Sequence, residues 1–368
     1  MPDLANTIEK NFRKEVKGSK MVKNAYLLVH NEKMGIHLNL AEGGTDGTPA
    51  LTGQPVHMAS VGKLFTATIT GMLHEKGKLS FDDPISKYLD KELMSGLHVY
   101  KGKEYSGEIL VYQLLQQTSG LYDVFYKLWG RMVQKPFEIT PREAVEWGKK
   151  NMTPVAPPGK KLHYTDTNYY LMGLVIEQVT GKPFHEVLHE LIIDPLEMKH
   201  AWMWGYSEPR EKSPHPMAGM WIEGTDVRTT PQLSRIDYAG GGITAPMDDL
   251  LKFIRALIAG RLVSSETFDR MLNDDVPMGF PTVGFNYGYS IWKFRPVPLL
   301  LPKKLICWGC VGVTGAFMFY HPKTETIMIG SFNDMAYRSK ALNFMIRKVV
   351  KPVVDAVDKN GGTAEPGN

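Results

Sequence analysis

Cysteine is scarce: the 368 residues include two, Cys307 and Cys310. They could form one bridge at most, so no disulfide framework holds this chain together. No apolar run reaches the ~18 residues of a membrane span. The polar first 20 residues lack the apolar core and small-residue cleavage site of a signal peptide. A soluble, cytoplasmic protein is the resulting expectation. Neither sign of charge dominates. Lys and Arg total 43 against 39 for Asp and Glu, a net +4 with no basic block, which argues against nucleic acid or an acidic membrane as partner. No Gly-x-Ser-x-Gly occurs either, which removes the strand–turn–helix nucleophile of α/β-hydrolases.

What is present is an ordinary globular composition, 43% hydrophobic and 22% charged, sufficient for a sizeable core. The length suits one large domain with an insertion or two ordinary domains. Leu4, Ile8, Phe12 and Val16 mark an amphipathic first helix. Short β-like runs at 24–30 and 34–39 read as a hairpin, and 60–76 reads as a buried helix. From 81 to about 235 the pattern is helical, with candidates at 144–150, 169–179 and 183–193 and with Gly181 suited to end the second. The long, polar, Pro-rich stretch 205–232 reads as a loop or lid over a site. Its flanking and internal Trp202, Trp204, Met217, Met220 and Trp221 suit either an apolar pocket or core. A helix at 247–259, strand-like runs at 287–294, 305–308, 316–320 and 326–331, and a last helix at 337–354 follow. The expected fold is α/β (α+β): one antiparallel β-sheet built from both termini (1–80 and 236–357) and flanked by helices. A large, mostly helical domain (81–235) is inserted, and the tail 358–368 is disordered.

Between Ser60 and Leu73 the single charged residue is Lys63, amid Val61, Leu64, Phe65, Ala67, Ile69 and Met72. A lone lysine on a buried helix is costly unless it is paired or neutral. Ser60 lies one turn before it, so the two side chains share a face. A serine hydroxyl becomes a good nucleophile when a neighbouring base takes its proton. Burial and the positive end of the helix both lower an amine's pKa toward that role. Taken alone, Ser-x-x-Lys describes equally a capping serine and a lysine reaching out to water.

The surrounding segments carry a resemblance. Met58-Ala59-Ser60-Val61-Gly62-Lys63-Leu64-Phe65-Thr66 resembles the nucleophile helix of serine β-lactamases, penicillin-binding proteins and their class C-type esterase relatives. Leu114 to Leu121, Tyr164 to Gly173 with Val179 to Pro183, Gly240-Gly241-Gly242, and Val313-Thr314-Gly315-Ala316 are similar to further family segments, in the family's order. The resemblance spans about Ser60 to Asn333 and implies the β-lactamase/transpeptidase-like fold. It also implies an acyl-enzyme on Ser60, with Tyr164 moving protons beside Lys63 and the main-chain N–H groups of Ser60 and Val313 holding an oxyanion. Two departures stand out. The family's Tyr-x-Asn is Tyr164-Thr165-Asp166, and its Lys-Thr-Gly or His-x-Gly aligns with Cys310-Val311-Gly312. Asp166, Cys310 and Gly312 are thus expected to line the substrate site, without a cation for a substrate carboxylate. The expectation is a carboxylic-ester hydrolase needing no cofactor or metal and acting on a small-molecule ester or amide. β-Lactamase, D-alanyl peptidase, amidase or acyltransferase activity on the same site is the alternative.

Two readings compete. His185-Glu186-Val187-Leu188-His189 matches the zinc-hydrolase pattern, with Glu208 or Glu211 as conceivable third ligand. The apolar stripe of Phe184, Val187, Leu188, Leu191 and Ile192 would put His185, Glu186 and His189 on the solvated face. Cys307 and Cys310, three apart on a strand, would point to opposite faces as isolated thiols, and Ser119 has no base at i+3 and reads as a turn residue. A catalytically dead relative that acts as a binding protein is the remaining class.

Overall fold

The computed structural model describes residues 2–279, 282–297 and 302–361. Its centre is a nine-stranded sheet in which every neighbouring pair is antiparallel. In spatial order the strands are Val276–Pro277, Phe285–Tyr287, Trp292–Phe294, Trp308–Val311, Phe317–His321, Thr326–Ser331, Asn24–Asn31, Ile36–Thr45 and Thr48–Pro49. Both ends of the chain therefore build it, and the Asn24–Asn31 strand joins them by pairing with Thr326–Ser331 (Leu28 opposite Ile329).

Period-two alternation splits the core between the sheet's faces. Ala25, Leu27, Val29, Phe317, Phe319 and Met328 face one side. There they meet Ile8, Phe12 and Val16 of the Pro2–Lys17 helix and Phe344, Val349 and Val353 of the C-terminal helices. Tyr26, Leu28, Cys310, Met318, Ile327 and Ile329 face the other, larger core, which contains the Gly62–Glu75 helix and its neighbours. Cys307 and Cys310 fall on opposite sides, both as free thiols. The central helix is buried all round because its residues are apolar all round; Phe65 stacks on Phe253 of the Met247–Ile258 helix with centroids 3.7 Å apart. A small three-stranded sheet of Val56–His57, Ile243–Ala245 and Trp202–Met203 pins the entry to this helix. Among the described residues, no helix is long and apolar enough to cross a membrane.

Several expectations shift. The run 287–294 is two strands joined by a turn at Ser290 (φ +62°), not one. Of the run 305–308, Leu305 ends a 3₁₀ turn (Lys303–Leu305), 306 and 307 are irregular, and the strand begins at Trp308. The final helix continues to Gly361, into the stretch expected to be disordered from 358; residues 362–368 lie outside the described residues. The stretch 205–232 is no lid over the serine. Met220, Ile222 and Val227 close a compact cluster with Phe125, Trp129 and Met132, and Trp204 and Met217 pack against it. Those side chains are core because the apolar face of the Phe125–Gln134 helix needs cover on that side.

Phe253→Ala removes one half of the stacked pair and leaves a void under the central helix. Urea denaturation should register a loss of about 3–5 kcal/mol; a loss below about 1 kcal/mol would mean that this contact does not anchor the helix.

Candidate active site

Ser60 lies in a 3₁₀ turn, Ala59–Val61, that runs directly into the Gly62–Glu75 helix. One turn on, Lys63 is wholly buried. Its ammonium donates to Ser60 Oγ at 3.0 Å, Asp166 Oδ1 at 2.5 Å and the Gly240 carbonyl at 2.7 Å. An ammonium has three N–H donors, and all three are used. The rings of Tyr169 and Tyr164 lie 4.8 and 5.3 Å from the nitrogen and add cation–π attraction.

This corrects the expected electrostatics. Burial does push Lys63 downward, but Asp166, Tyr169 and Asp237 outweigh it and the net direction is up, so Lys63 rests as a cation. Asp166 is raised instead, by burial first and by Asp237 in addition, against the pull of Lys63. Asp166 is thus the counter-ion of the lysine, a role the family's asparagine could not fill. Tyr164 is half-buried and raised well above the usual phenol range, mainly by burial and then by Asp166 and Cys310, while the Ser60 hydroxyl opposes the shift. It rests as a neutral phenol.

The motif segments hold these groups in place. Gln117 brackets Tyr164: its carbonyl takes the His163 N–H at 2.8 Å and its Oε1 takes the Thr165 N–H at 3.0 Å. Ser119 donates to Asn168 Oδ1 at 2.6 Å, so it has a structural partner and no base. Asp166 sits just before the Thr167–Thr180 helix, its carboxylate turned to Lys63 and not to the helix's N–H groups, and Gly181 ends that helix in the left-handed region as expected. Gly240 leaves no free space for a side chain beside the pair. A Cβ there would sit 2.8 Å from Asp166 Oδ1 and 3.3 Å from Lys63 Nζ.

Above Ser60 opens a cavity of about 550 Å³, lined among others by Asp123, Phe125, Tyr126, Tyr164, Asp166, Asp237, Phe285, Trp292, Gly312, Val313 and Arg338. Among the described hydrogen bonds, the main-chain N–H groups of Ser60 and Val313 have no acceptor, so both are available to an oxyanion in the cavity. Cys310 does not line the cavity. Strand alternation turns it inward, where Sγ donates to the Ser60 carbonyl at 3.1 Å and burial pushes its pKa up to about 12. The expectation of a site without a cation needs revision as well, because exposed Arg338, at the start of the Arg338–Phe344 helix, reaches the cavity wall.

Sequence reasoning missed Asp123, Asp237 and Arg338. Asp123 Oδ1 accepts from the N–H groups of Phe125 (3.2 Å) and Asp166 (3.1 Å) and from the Thr165 hydroxyl (3.3 Å). Burial and the neighbouring Asp166 raise its pKa to about 6. None of the three sits in a spacing pattern that marks it; only the position of Asp237 just before the glycine triplet offered a hint.

The histidine pair is elsewhere, beside an open groove of about 780 Å³ that Ser60 does not line. His189, expected on the solvated face, is buried because the chain at Ser207 folds over it (Nε2 to Oγ 3.0 Å). Glu211 pairs with Lys199 at 2.7 Å, and Arg210 grips Asp194 with two bonds. Among the described residues, no three His, Cys, Asp or Glu side chains gather to hold a metal ion.

Comparison with known proteins agrees with this picture. A model of the Beta-lactamase family matches residues 16–349. PbpX of Bacillus subtilis (strain 168), named as a penicillin-binding protein, is 31% identical over 221 residues, which cover 58% of this chain and 49% of PbpX. The chain spans about half the length of the curated relatives it matches. The D-amino acid amidase of Ochrobactrum anthropi SV3, solved with L-phenylalanine amide, superposes with a TM-score of 0.76 at 22% identity, covering 98% of this chain and all of that one. EstCE1, a hydrolase with promiscuous acyltransferase activity, superposes at 0.71 with 18% identity, covering 96% and 98%.

Two outcomes test the geometry. Gly240→Ala should displace the Lys63–Asp166 pair and lower turnover by about tenfold to a hundredfold while the fold persists; unchanged turnover would mean that the close approach is idle. The second is a pH effect. Unfolded Asp123 ionises near pH ~3.9, but the folded residue ionises at about 6. The folded chain therefore holds the proton longer, and stability drains away as pH rises through that window. Asp123→Asn keeps an acceptor for the three donors and abolishes the loss. Its stability advantage over the wild type should grow from pH ~4 to ~6 and then level off; a constant difference across that window would refute the assignment.

Proposed function

The chain belongs to the beta-lactamase family of serine hydrolases, and from that premise we propose that it cleaves carboxylic esters through an acyl-enzyme on Ser60. The observation that carries this reading is the Lys63 ammonium, buried and 3.0 Å from Ser60 Oγ at the floor of a cavity with two unclaimed N–H donors.

A lysine that rests charged cannot take the serine proton directly. Asp166 supplies the vacancy: its raised pKa makes it a workable acceptor for a proton from Lys63, which then receives the proton of Ser60. The serine oxygen attacks the carbonyl carbon, and the oxyanion is held by the N–H groups of Ser60 and Val313. As the tetrahedral intermediate collapses, the neutral Tyr164 phenol gives its proton to the departing alkoxide and is reprotonated through Lys63 from Asp166. Water repeats the sequence to release the acid. An alcohol or amine in its place makes the same site an acyltransferase.

Phe125, Tyr126, Phe285 and Trp292 favour an apolar or aromatic group on the substrate. The inward-turned Cys310 leaves the strand edge beside Ser60 uncharged, which favours neutral esters. Arg338 favours a second reading, in which a substrate carboxylate reaches the cavity mouth, as on a β-lactam or D-alanyl peptide.

Ser60→Ala should cut hydrolysis of a p-nitrophenyl ester by at least about a thousandfold with the fold intact. A fluorophosphonate should label Ser60; labelling mapped to Ser119 or another serine would sink the proposal. In a panel of neutral esters, a β-lactam and a D-alanyl peptide, Arg338→Ala should lower kcat/KM about tenfold to a hundredfold for the carboxylate-bearing members alone. An equal loss on all members would assign Arg338 to structure rather than recognition.

A further inference from the structure

We infer that His57 is a positioning residue that holds the Ser60 turn in its working shape by bracing Ala59. The inference rests on Ser60 being the nucleophile. Ala59, immediately before it, has φ +47°, in the left-handed region that an L-residue with a Cβ enters at a cost. It cannot relax unaided. The Ala59 N–H donates to Nδ1 of His57 at 3.1 Å, and Gly312 packs its backbone against the Met58 carbonyl and the Ala59 methyl from the other side.

His57 is built to be still. It is 2% exposed, its strand pairs with Thr244, and Trp204 meets its ring edge-on with centroids 5.3 Å apart. Because Nδ1 accepts, the ring proton of the neutral form is on Nε2. That nitrogen lies 3.1 Å from Asp237 Oδ2 but does not aim its N–H squarely at the oxygen. The bond to Ala59 is therefore the well-formed one, and the ring's task is to accept.

That bond fixes the plane of the Met58–Ala59 peptide. The next peptide, Ala59–Ser60, carries the Ser60 N–H of the oxyanion site, and the Ser60 side chain branches from its end. The two backbone angles of Ala59 set the relation between these planes. If Ala59 fell back to negative φ, the N–H and Oγ would swing away from the place where the carbonyl must sit. The histidine acts through the backbone and touches no substrate.

The test compares His57→Leu with His57→Asn, two side chains of one shape of which only the second can accept the Ala59 N–H. The readouts are kcat and KM on a p-nitrophenyl ester, and the rate of Ser60 labelling by a fluorophosphonate, each normalised to folded protein by thermal midpoint and total label. His57→Leu should lose about tenfold to a hundredfold in kcat and in labelling rate with KM within about threefold, and His57→Asn should stay within about threefold of wild type on all counts. Ala59→Gly, which adopts positive φ without a brace, should be near wild type alone and should restore at least about fivefold of the His57→Leu loss. Leu and Asn variants with equal rates, or a folded fraction of His57→Leu that labels at the wild-type rate, would overturn the inference. Absence of any Ser60 labelling in the wild type would overturn the serine-hydrolase reading instead.

Discussion

An ammonium sealed from water admits few surroundings: each of its three protons needs an acceptor and its charge needs an opposite one close by. Around Lys63 these needs are met by Ser60 Oγ, Asp166 Oδ1 and the Gly240 carbonyl, which come from three distant parts of the chain. Much of the site's architecture follows from that demand. The Gly240 backbone approaches so closely that a Cβ would press on Asp166 Oδ1. The Thr66 hydroxyl donates to the Ala239 carbonyl at 2.6 Å, which ties the same short Tyr238–Gly241 turn of helix to the Lys63 helix. The helix that begins beside Asp166 is aimed by hydrogen bonds to Asp123 and Gln117. Breaking such a buried pair by removing one partner leaves an uncompensated charge, so these elements stand or fall together.

The same pair decides where protons rest. With a carboxylate in contact, the lysine stays charged and the carboxyl is the group whose pKa climbs. Asp237 adds to the rise of Asp166, and Asp166 in turn raises Asp123, since carboxylates sharing one cavity disfavour ionisation of their neighbours. A family asparagine at position 166 would remove the Asp166 charge and leave Tyr169 and Asp237 to oppose burial without it. Aspartate there keeps the resting proton on the lysine.

The cavity walls tell of a division of labour between the sheet and the loops. The edge of the Trp308–Val311 strand and the residues after it bring main-chain donors, because Cys310 is turned inward and Gly312 has no side chain to intervene. Side-chain character comes from elsewhere, with Phe125 and Tyr126 on one helix, Phe285 and Trp292 on the short outer strands, and Arg338 after the last strand. Main-chain donors in the turns at Ser60 and Val313 and side chains on peripheral elements thus form separate parts of one cavity.

The amino-acid order alone determined what local periodicity and short motifs can encode. The β-like runs at both ends of the chain, the all-round apolar helix carrying Lys63, the end of the Thr167–Thr180 helix at Gly181 and the separate faces of Cys307 and Cys310 were legible because neighbours in the chain are neighbours in the pattern. The collinear motifs likewise pointed to the family and to Ser60, Lys63 and Tyr164 as candidates. Whatever depends on which segments meet was not legible. The burial of His189 under Ser207, the service of Met220 and Ile222 as core rather than as lid, the inward turn of Cys310, and the convergence of Asp123, Asp237 and Arg338 on the cavity were settled by packing. The charge state of Lys63 belongs with them. A sequence conveys that a lysine is buried, which argues for a neutral amine; only the folded chain brings Asp166, 103 residues away, to within 2.5 Å, where its charge and hydrogen bond, together with Tyr169 and Asp237, outweigh the lost hydration.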